Sequence, residues 1–449
     1  DLAEVSSNFF SFNSTWFKAD TANLNVFDNN NSIAFNAQNL RANIDLSDRE
    51  GVFYSNGSGS YVTFPASEYI SYIDKLKWEM DKEQLTFGEK ELNNSKGSKF
   101  ISLNSDQDSL SFIASSADYS LKDFIINAHG VDSLNIADAV IFPDSGELIV
   151  ERGARIRTLN NSSLLLDPLI RYHSFNNATI DISSANKYSA SADYVYIDSL
   201  GNKQDIYFSE IIVNADTITL ATASVNEKKI FKIGNRYDFK GDIKILGDRK
   251  NLTYNGFFKI NHNCSNFSTQ WIAFSSEIDP SDISFDLKEK LFSDTDDKLY
   301  SGIFYNKDST IFYPTFISTK KRAKDLEFFS ATSSVYYNKI NSSYVIGGQD
   351  SVSNILLLDE KTCTVSGDGM INLNLNLGRI KTQSVGKILN RNKNQLELDG
   401  FLMFDFDFSK DAMEIMAQDI FSAPGEEIFE YNKDYENNLS KLVGKDQKE

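Results

Sequence analysis

The sequence predicts an all-β fold: an elongated antiparallel β-jellyroll or β-solenoid-like slab of many short strands, closed by a short helical tail. Three observations predict it. From about Ile33 to Phe408 the chain repeats one theme, an alternating or apolar run of about four to eight residues followed by a polar turn. Turn chemistry of the Pro-Asp-Ser-Gly and Asp-Ser-Leu-Gly kind recurs between those runs. Runs at helical spacing are few, and the longest apolar stretches, such as Ile355 to Leu358, fall far short of the roughly 20 residues of a membrane helix. No transmembrane segment is therefore expected in this chain.

Taken in order, residues 67–74 suggest one short helix capped by Ser67. Leu76, Trp78 and Met80 alternate with Lys77 and Glu79, and the run Leu85-Thr86-Phe87 returns after a charged turn. Residues 137–142 and 147–151 read as a hairpin reversed by Pro143-Asp144-Ser145-Gly146. Two more hairpins follow, Tyr194 to Ile197 with Ile206 to Phe208, and Ile243 to Ile245 with Leu252 to Tyr254. Val335, Tyr336 and Tyr337 pair with Tyr344 and Val345 in a hairpin of mixed faces, whose surplus tyrosine is expected at the surface. Phe404, Phe406 and Phe408 fall on one strand face, Asp405 and Asp407 on the other. Residues 410–421 place Ala412, Met413, Ile415, Met416 and Ile420 at helical spacing, and 424–449 continue as a charged tail.

The 449 residues divide softly, because no Pro/Gly/Ser-rich linker appears. Strand signals weaken across 281–298, where Asp282, Asp286, Asp294, Asp296 and Asp297 crowd together. The expected division is 1–285 as an elongated β domain, 286–409 as its continuation, and 410–449 as the helical, charged tail. The chain starts at Asp1 without an initiator Met or a leader, so a removed signal or a segment of something larger is expected.

Composition excludes several classes. With 45 Lys plus Arg against 63 Asp plus Glu, the net charge of −18 supplies no cationic surplus for a nucleic-acid groove. Collagen and disulfide scaffolds are excluded by 23 Gly and two Cys. Hydrophobic residues at 41% and aromatic residues at 13% suffice for a sizeable core.

Residues 134–159, 192–213 and 239–260 resemble the strand-turn-strand units of the OstA/LptA-type β-jellyroll. That resemblance implies a periplasmic bridge carrying lipid, although the chain lacks a regular glycine-valine step and inserts 177–191. The Asn, Asp, Ser, Phe, Tyr and Lys usage is similar to that of long β-rich envelope and surface proteins of Bacteroidota. Asp-Ser/Thr triplets at Asp20, Asp108, Asp132, Asp198, Asp216, Asp308 and Asp350 are similar to the O-glycan acceptor triplet of that phylum's exported proteins, and Asp-Ser is also good turn chemistry.

Residues that carry chemistry are sparse. His129, His173 and His262 are isolated, and His262 with Cys264 offers two ligands where a structural zinc wants four. No metal site or cofactor is expected. Cys264 and Cys363 form either a disulfide, in an oxidising compartment, or two separate buried thiols. Asp294, Asp296 and Asp297 lack the glycine-turned calcium loop, and Asp405 with Asp407 lacks a facing carboxylate.

The resulting expectation is a non-catalytic scaffold or interaction protein of a bacterial periplasm, outer membrane or cell surface, with envelope proteins, glycan or lipid as partners. A lipid or lipopolysaccharide conduit is the alternative, with Val140, Phe142, Leu148 and Val150 lining one trough. A polysaccharide-acting β-helix enzyme using Asp294, Asp296 or Asp405 stands third.

Overall fold

The computed structural model describes residues 3–57, 59–88, 97–228, 230–287, 289–348, 353–375, 377–392 and 395–422. About 60% of the chain is strand and 6% helix, arranged as large curled antiparallel sheets with one C-terminal helix. The fold is all-β with a short helical tail.

Two units are distinguished. The first comprises Asp1–Ile197, Lys203–Ser224 and Ile243–Leu252; the second comprises Asp198–Asn202, Val225–Asp242 and Thr253–Glu449. The acidic stretch 281–298 lies inside the second unit, where it carries the strands Ser284–Asp286 and Leu291–Phe292.

In the first unit, a 14-stranded sheet is built around Ile33–Asp45, which pairs with Trp16–Phe27, Glu50–Ser55 and Tyr61–Phe64. The alternation at Leu76 and Trp78 folds as expected, with Leu76 opposite Phe87 and Trp78 opposite Leu85. All four side chains are buried, and Lys77 points outward to Glu50 at 2.9 Å. The curled interior is filled by rings: Phe64 lies 4.9 Å from Tyr119 and 5.4 Å from Phe87, and Phe100 stacks on Phe112 at 5.1 Å. Each buried ring contributes on the order of 1.5 to 3 kcal/mol.

Two local expectations are overturned here. Residues 67–74 form no helix. They contain the strand Tyr69–Tyr72, because the buried Ser67 hydroxyl is spent on the Phe124 carbonyl at 2.7 Å and not on a helix cap. Residues 143–146 do not close a hairpin either. Ala139–Phe142 pairs with Leu159–Leu166, whereas Leu148–Val150 pairs with Ile125–His129 in a different sheet. The turn is a crossing between sheets, so its two arms bury their side chains against different neighbours.

Further along, Ser174–Ser184 pairs with Lys187–Ile197, so the apparent insertion at 177–191 is itself a strand pair. Lys187–Ile197 then pairs with Lys203–Val213 in the hairpin expected at 194–208.

In the second unit, the strands from Ser284–Asp286 through Ser334–Asn338, Ser343–Ile346, Ile355–Asp359, Thr364–Ile371 and Ile380–Asn392 to Gln395–Phe406 form a seven-stranded sheet. A four-stranded sheet supplies Phe329, whose ring fills the space that a Cβ at Gly367 would occupy, and Ile388 closes the same spot. Phe258 and Phe285 stack at 3.9 Å in the same unit's core. The helix Lys410–Ser422 follows the last strand and buries none of its residues. The charged tail 424–449 lies outside the described residues.

Candidate functional site

The first unit contains an open cleft of about 730 Å³, lined by residues of the 14-stranded sheet and of the loops that join its strands. Trp78 brings its indole there because the strand alternation that buries Leu76 also turns Trp78 inward. The ring is 7% exposed, and its Nε1, a donor without acceptor capacity, has no hydrogen-bond partner. Met80 opens the 3₁₀ turn Met80–Lys82, which the left-handed Glu83 ends. Val26 and Phe27 arrive from the end of Trp16–Phe27, and Ile33 begins the next strand with 43% of its surface open.

Phe124 completes the apolar wall in a backbone conformation that bulky side chains avoid, φ +59°. It is held there by the Ser67 hydroxyl on its carbonyl. The Arg152 guanidinium lies 4.2 Å from the centre of the Phe124 ring. Glu151 is engaged by Arg157 at 2.9 Å, and no carboxylate pairs with Arg152 among the described residues. Arg49 and Lys122 are the other cations of the rim, Asp28 and Glu83 its carboxylates. Asp28 is spent on the amides of Asn30 and Ser32, and Arg49 is held by Asp81 at 2.5 Å. Behind the wall, Tyr119 donates to the Ala34 carbonyl at 3.0 Å, and burial pushes its phenol well above the usual range, so it is a neutral donor.

The sequence-predicted trough is not assembled. Val140 and Phe142 lie on the outward face of Ala139–Phe142, half-buried and 40% exposed respectively. Leu148 and Val150 are buried in the 14-stranded sheet opposite Ala128 and Ile126. The four therefore belong to two sheets and two environments.

The remaining candidates fall apart or turn structural. Cys264 and Cys363 are joined by a disulfide with Cα atoms 5.4 Å apart. His262 Nδ1 accepts from the Cys264 amide at 3.3 Å, and burial depresses its pKa. Asp294 pairs with Lys240 at 2.6 Å, and Asp297 accepts from Thr295. Asp405 and Asp407 are solvent-facing on the last strand and just beyond it. In the hairpin of Ser334–Asn338 and Ser343–Ile346, Tyr344 is buried, and Tyr336 and Tyr337 are half-buried, contrary to the expected surface tyrosine. The Arg236 guanidinium stacks 3.5 Å from the centre of the Tyr337 ring and pairs with Glu360 at 2.6 Å.

Of the Asp-Ser/Thr triplets, Thr21, Ser109, Ser199, Thr217 and Ser309 expose the hydroxyl residue, Ser133 half-buries it, and the triplet at Asp350 lies outside the described residues.

A second surface is visible in the second unit. Gln395–Phe406 ends its sheet, and no described strand pairs with its outer side. Its even-numbered side chains share a face with Ile388 and Gly367, yet Leu398, Leu402 and Phe404 remain 47%, 44% and 44% exposed. Phe404, Phe406 and Phe408 form a row of rings with centroids 6.1 and 5.4 Å apart.

Sequence reasoning placed Trp78 on a core face and Phe404 on an aromatic stripe, but it had no signal for Arg152 or Phe124, which reach the cavity from distant segments. No family model, no curated protein and no solved structure matches this chain.

Proposed function

We propose that this chain is a non-catalytic β-rich scaffold or interaction protein of a bacterial cell envelope or surface. The observation that supports this reading is the outer edge of Gln395–Phe406, which no described strand covers. It is 12 residues long, while the opposite end of the same sheet is the three-residue strand Ser284–Asp286. Proteins ordinarily blunt such edges by shortness, charge or cover, because an open row of amides and carbonyls templates strand addition. Here the inward face of the edge is an apolar row, the arrangement that a docking strand would cover while its backbone completes the ladder.

The experiment is amide exchange on residues 395–406 with and without a solubilised envelope fraction. Protection gained in the mixture, and lost in the Leu402→Lys, Phe404→Lys double variant, is the expected result. Unchanged exchange in both would count against the reading. Turnover of a glycan or ester panel that disappears on a single carboxylate or serine substitution would replace it with an enzyme.

A further inference from the structure

We propose that the hairpin of residues 10–18 is a membrane-surface anchor that seats its rings in the headgroup boundary of a lipid bilayer. This goes beyond the scaffold role and does not depend on the outer edge of Gln395–Phe406, which belongs to the other unit.

The strand Phe10–Phe12 pairs with the start of Trp16–Phe27, setting Phe10 opposite Ala19 and Phe12 opposite Phe17. Ala19 stands opposite Ala42 and Ala42 opposite Phe53, so Phe10 and Phe12 extend the same sheet face that buries Phe53 in the core. Their own rings stand in the open. Phe9, Phe10 and Phe12 are 82%, 55% and 69% exposed, and Phe10 lies 5.5 Å from Phe17 and 5.9 Å from Phe12, ring against ring. Trp16 belongs to the opposite face, with the Lys18 ammonium 5.2 Å from its ring centre.

Three features select lipid as the occupant. The first is charge. Of 449 residues 63 are Asp or Glu, yet none falls within 5–19, a stretch that holds Phe9, Phe10, Phe12, Trp16 and Phe17 and whose single charge is Lys18. A carboxylate beside lipid phosphates is repelled and costly to dehydrate, so an acid-free aromatic tip on a chain of net charge −18 is the complement of a headgroup layer. Asp45, opposite Trp16, is occupied by the amides of Ser47 and Asp48 at 2.8 and 3.0 Å.

The second is that the turn satisfies its own backbone. The Asn13 side chain accepts from the Thr15 and Trp16 amides, each at 2.8 Å, and the Asn13 amide donates to the Trp16 carbonyl at 2.9 Å. The Thr15 carbonyl takes the Leu46 amide at 2.7 Å. A tip seated where water is scarce needs that saturation, whereas one in bulk water does not. The third is that rings occur on both faces of the ribbon. A strand added to a protein partner offers alternate side chains to its pockets on one face, but immersion covers both. Aromatic rings flanked by a Lys that keeps its ammonium in water are the side chains that partition at a bilayer boundary.

The test is flotation of the full chain with phosphatidylcholine vesicles. The chain should float with the lipid at about 0.15 M and about 0.5 M NaCl alike, since apolar burial and not long-range attraction holds it. Tryptophan emission should shift to the blue on binding, and Trp16→Phe should abolish that shift while the chain still floats. Phe9→Ser combined with Phe12→Ser should lower the partition coefficient by about tenfold or more. Both side chains are largely exposed, so this variant keeps the fold, which an unchanged urea midpoint checks. Leu169→Ser combined with Ile340→Ser removes equally exposed apolar side chains elsewhere and should leave partitioning unchanged. Absence of flotation, flotation lost at the higher salt, or a Phe9, Phe12 variant that floats like the parent overturns the proposal. So does a vesicle-free dimer that this variant disperses, since a second copy then covers the rings.

Discussion

Cys264 and Cys363, 99 residues apart in sequence, are joined by a disulfide that ties the loop after Leu252–Ile260 to the turn between Ile355–Asp359 and Thr364–Ile371. The Cys264 sulfur lies 3.9 Å from the backbone carbonyl oxygens of Asp359 and Glu360, so the bridge packs against the backbone of the residue whose side chain holds Arg236. Closing a loop of this length removes entropy mainly from the unfolded chain. Cys363→Ser, or reduction, should lower stability by about 2 to 4 kcal/mol. Urea denaturation with and without dithiothreitol reads this directly, and a midpoint indifferent to reductant would contradict it.

His173 is buried, its Nε2 donating to the Arg249 carbonyl at 2.7 Å while Nδ1 faces the Tyr194 hydroxyl at 3.2 Å. Burial lowers its pKa below the ordinary 6.5, so the folded state holds the neutral ring and the unfolded state takes up the proton first. The stability this group contributes is fully present above pH 6.5 and is lost as pH falls from there through the lower folded value. His173→Gln should flatten the stability profile in that window. Denaturation midpoints between pH 7.5 and 5, parent minus variant, are the measurement; parallel profiles would refute it.

Asp138 bridges 81 residues to Thr219. One carboxylate oxygen accepts from the threonine hydroxyl at 2.5 Å and the other from its amide at 2.9 Å, while Tyr188 completes the network at 2.6 Å from that hydroxyl. Asp138→Ala strands two donors and should cost about 1 to 3 kcal/mol. Hydrogen exchange should locate the loss at the Thr219 amide, with the 14-stranded sheet untouched.

Gly386 and Gly400 face each other across the last strand pair. A Cβ at Gly386 would stand 2.3 Å from the Asp399 carbonyl oxygen, and one at Gly400 would stand 2.3 Å from that of Val385. Since the obstacle is backbone, Gly386→Ala should destabilise by roughly 1 to 3 kcal/mol. The urea midpoint should fall without a change in slope.

What the sequence made legible was local. Alternation placed Leu76, Trp78, Leu85 and Phe87 on one buried face, and helical spacing located Lys410–Ser422 within a residue of where it lies. The turn at 143–146 shows why topology was harder. Pro and Gly report that the backbone bends, but whether its two arms pair with each other depends on Leu159–Leu166 and Ile125–His129, whose claims on those arms leave no local trace. Ser67 misled in the same way: its capping preference is intrinsic, and the Phe124 carbonyl that captured it lies 57 residues away. The cavity was half legible, since its tryptophan follows a strand period and its arginine does not.

The outer edge of Gln395–Phe406, uncovered by any described strand, also bears on how this molecule behaves when overproduced. Two copies meeting antiparallel about Phe401 would set Glu397, which Arg391 already engages at 2.9 Å, against Asp405 twice, and a two-fold pairing of this kind closes at two copies. Concentrated stocks should therefore hold a dimer that dilution disperses, and light scattering over a concentration series reads it.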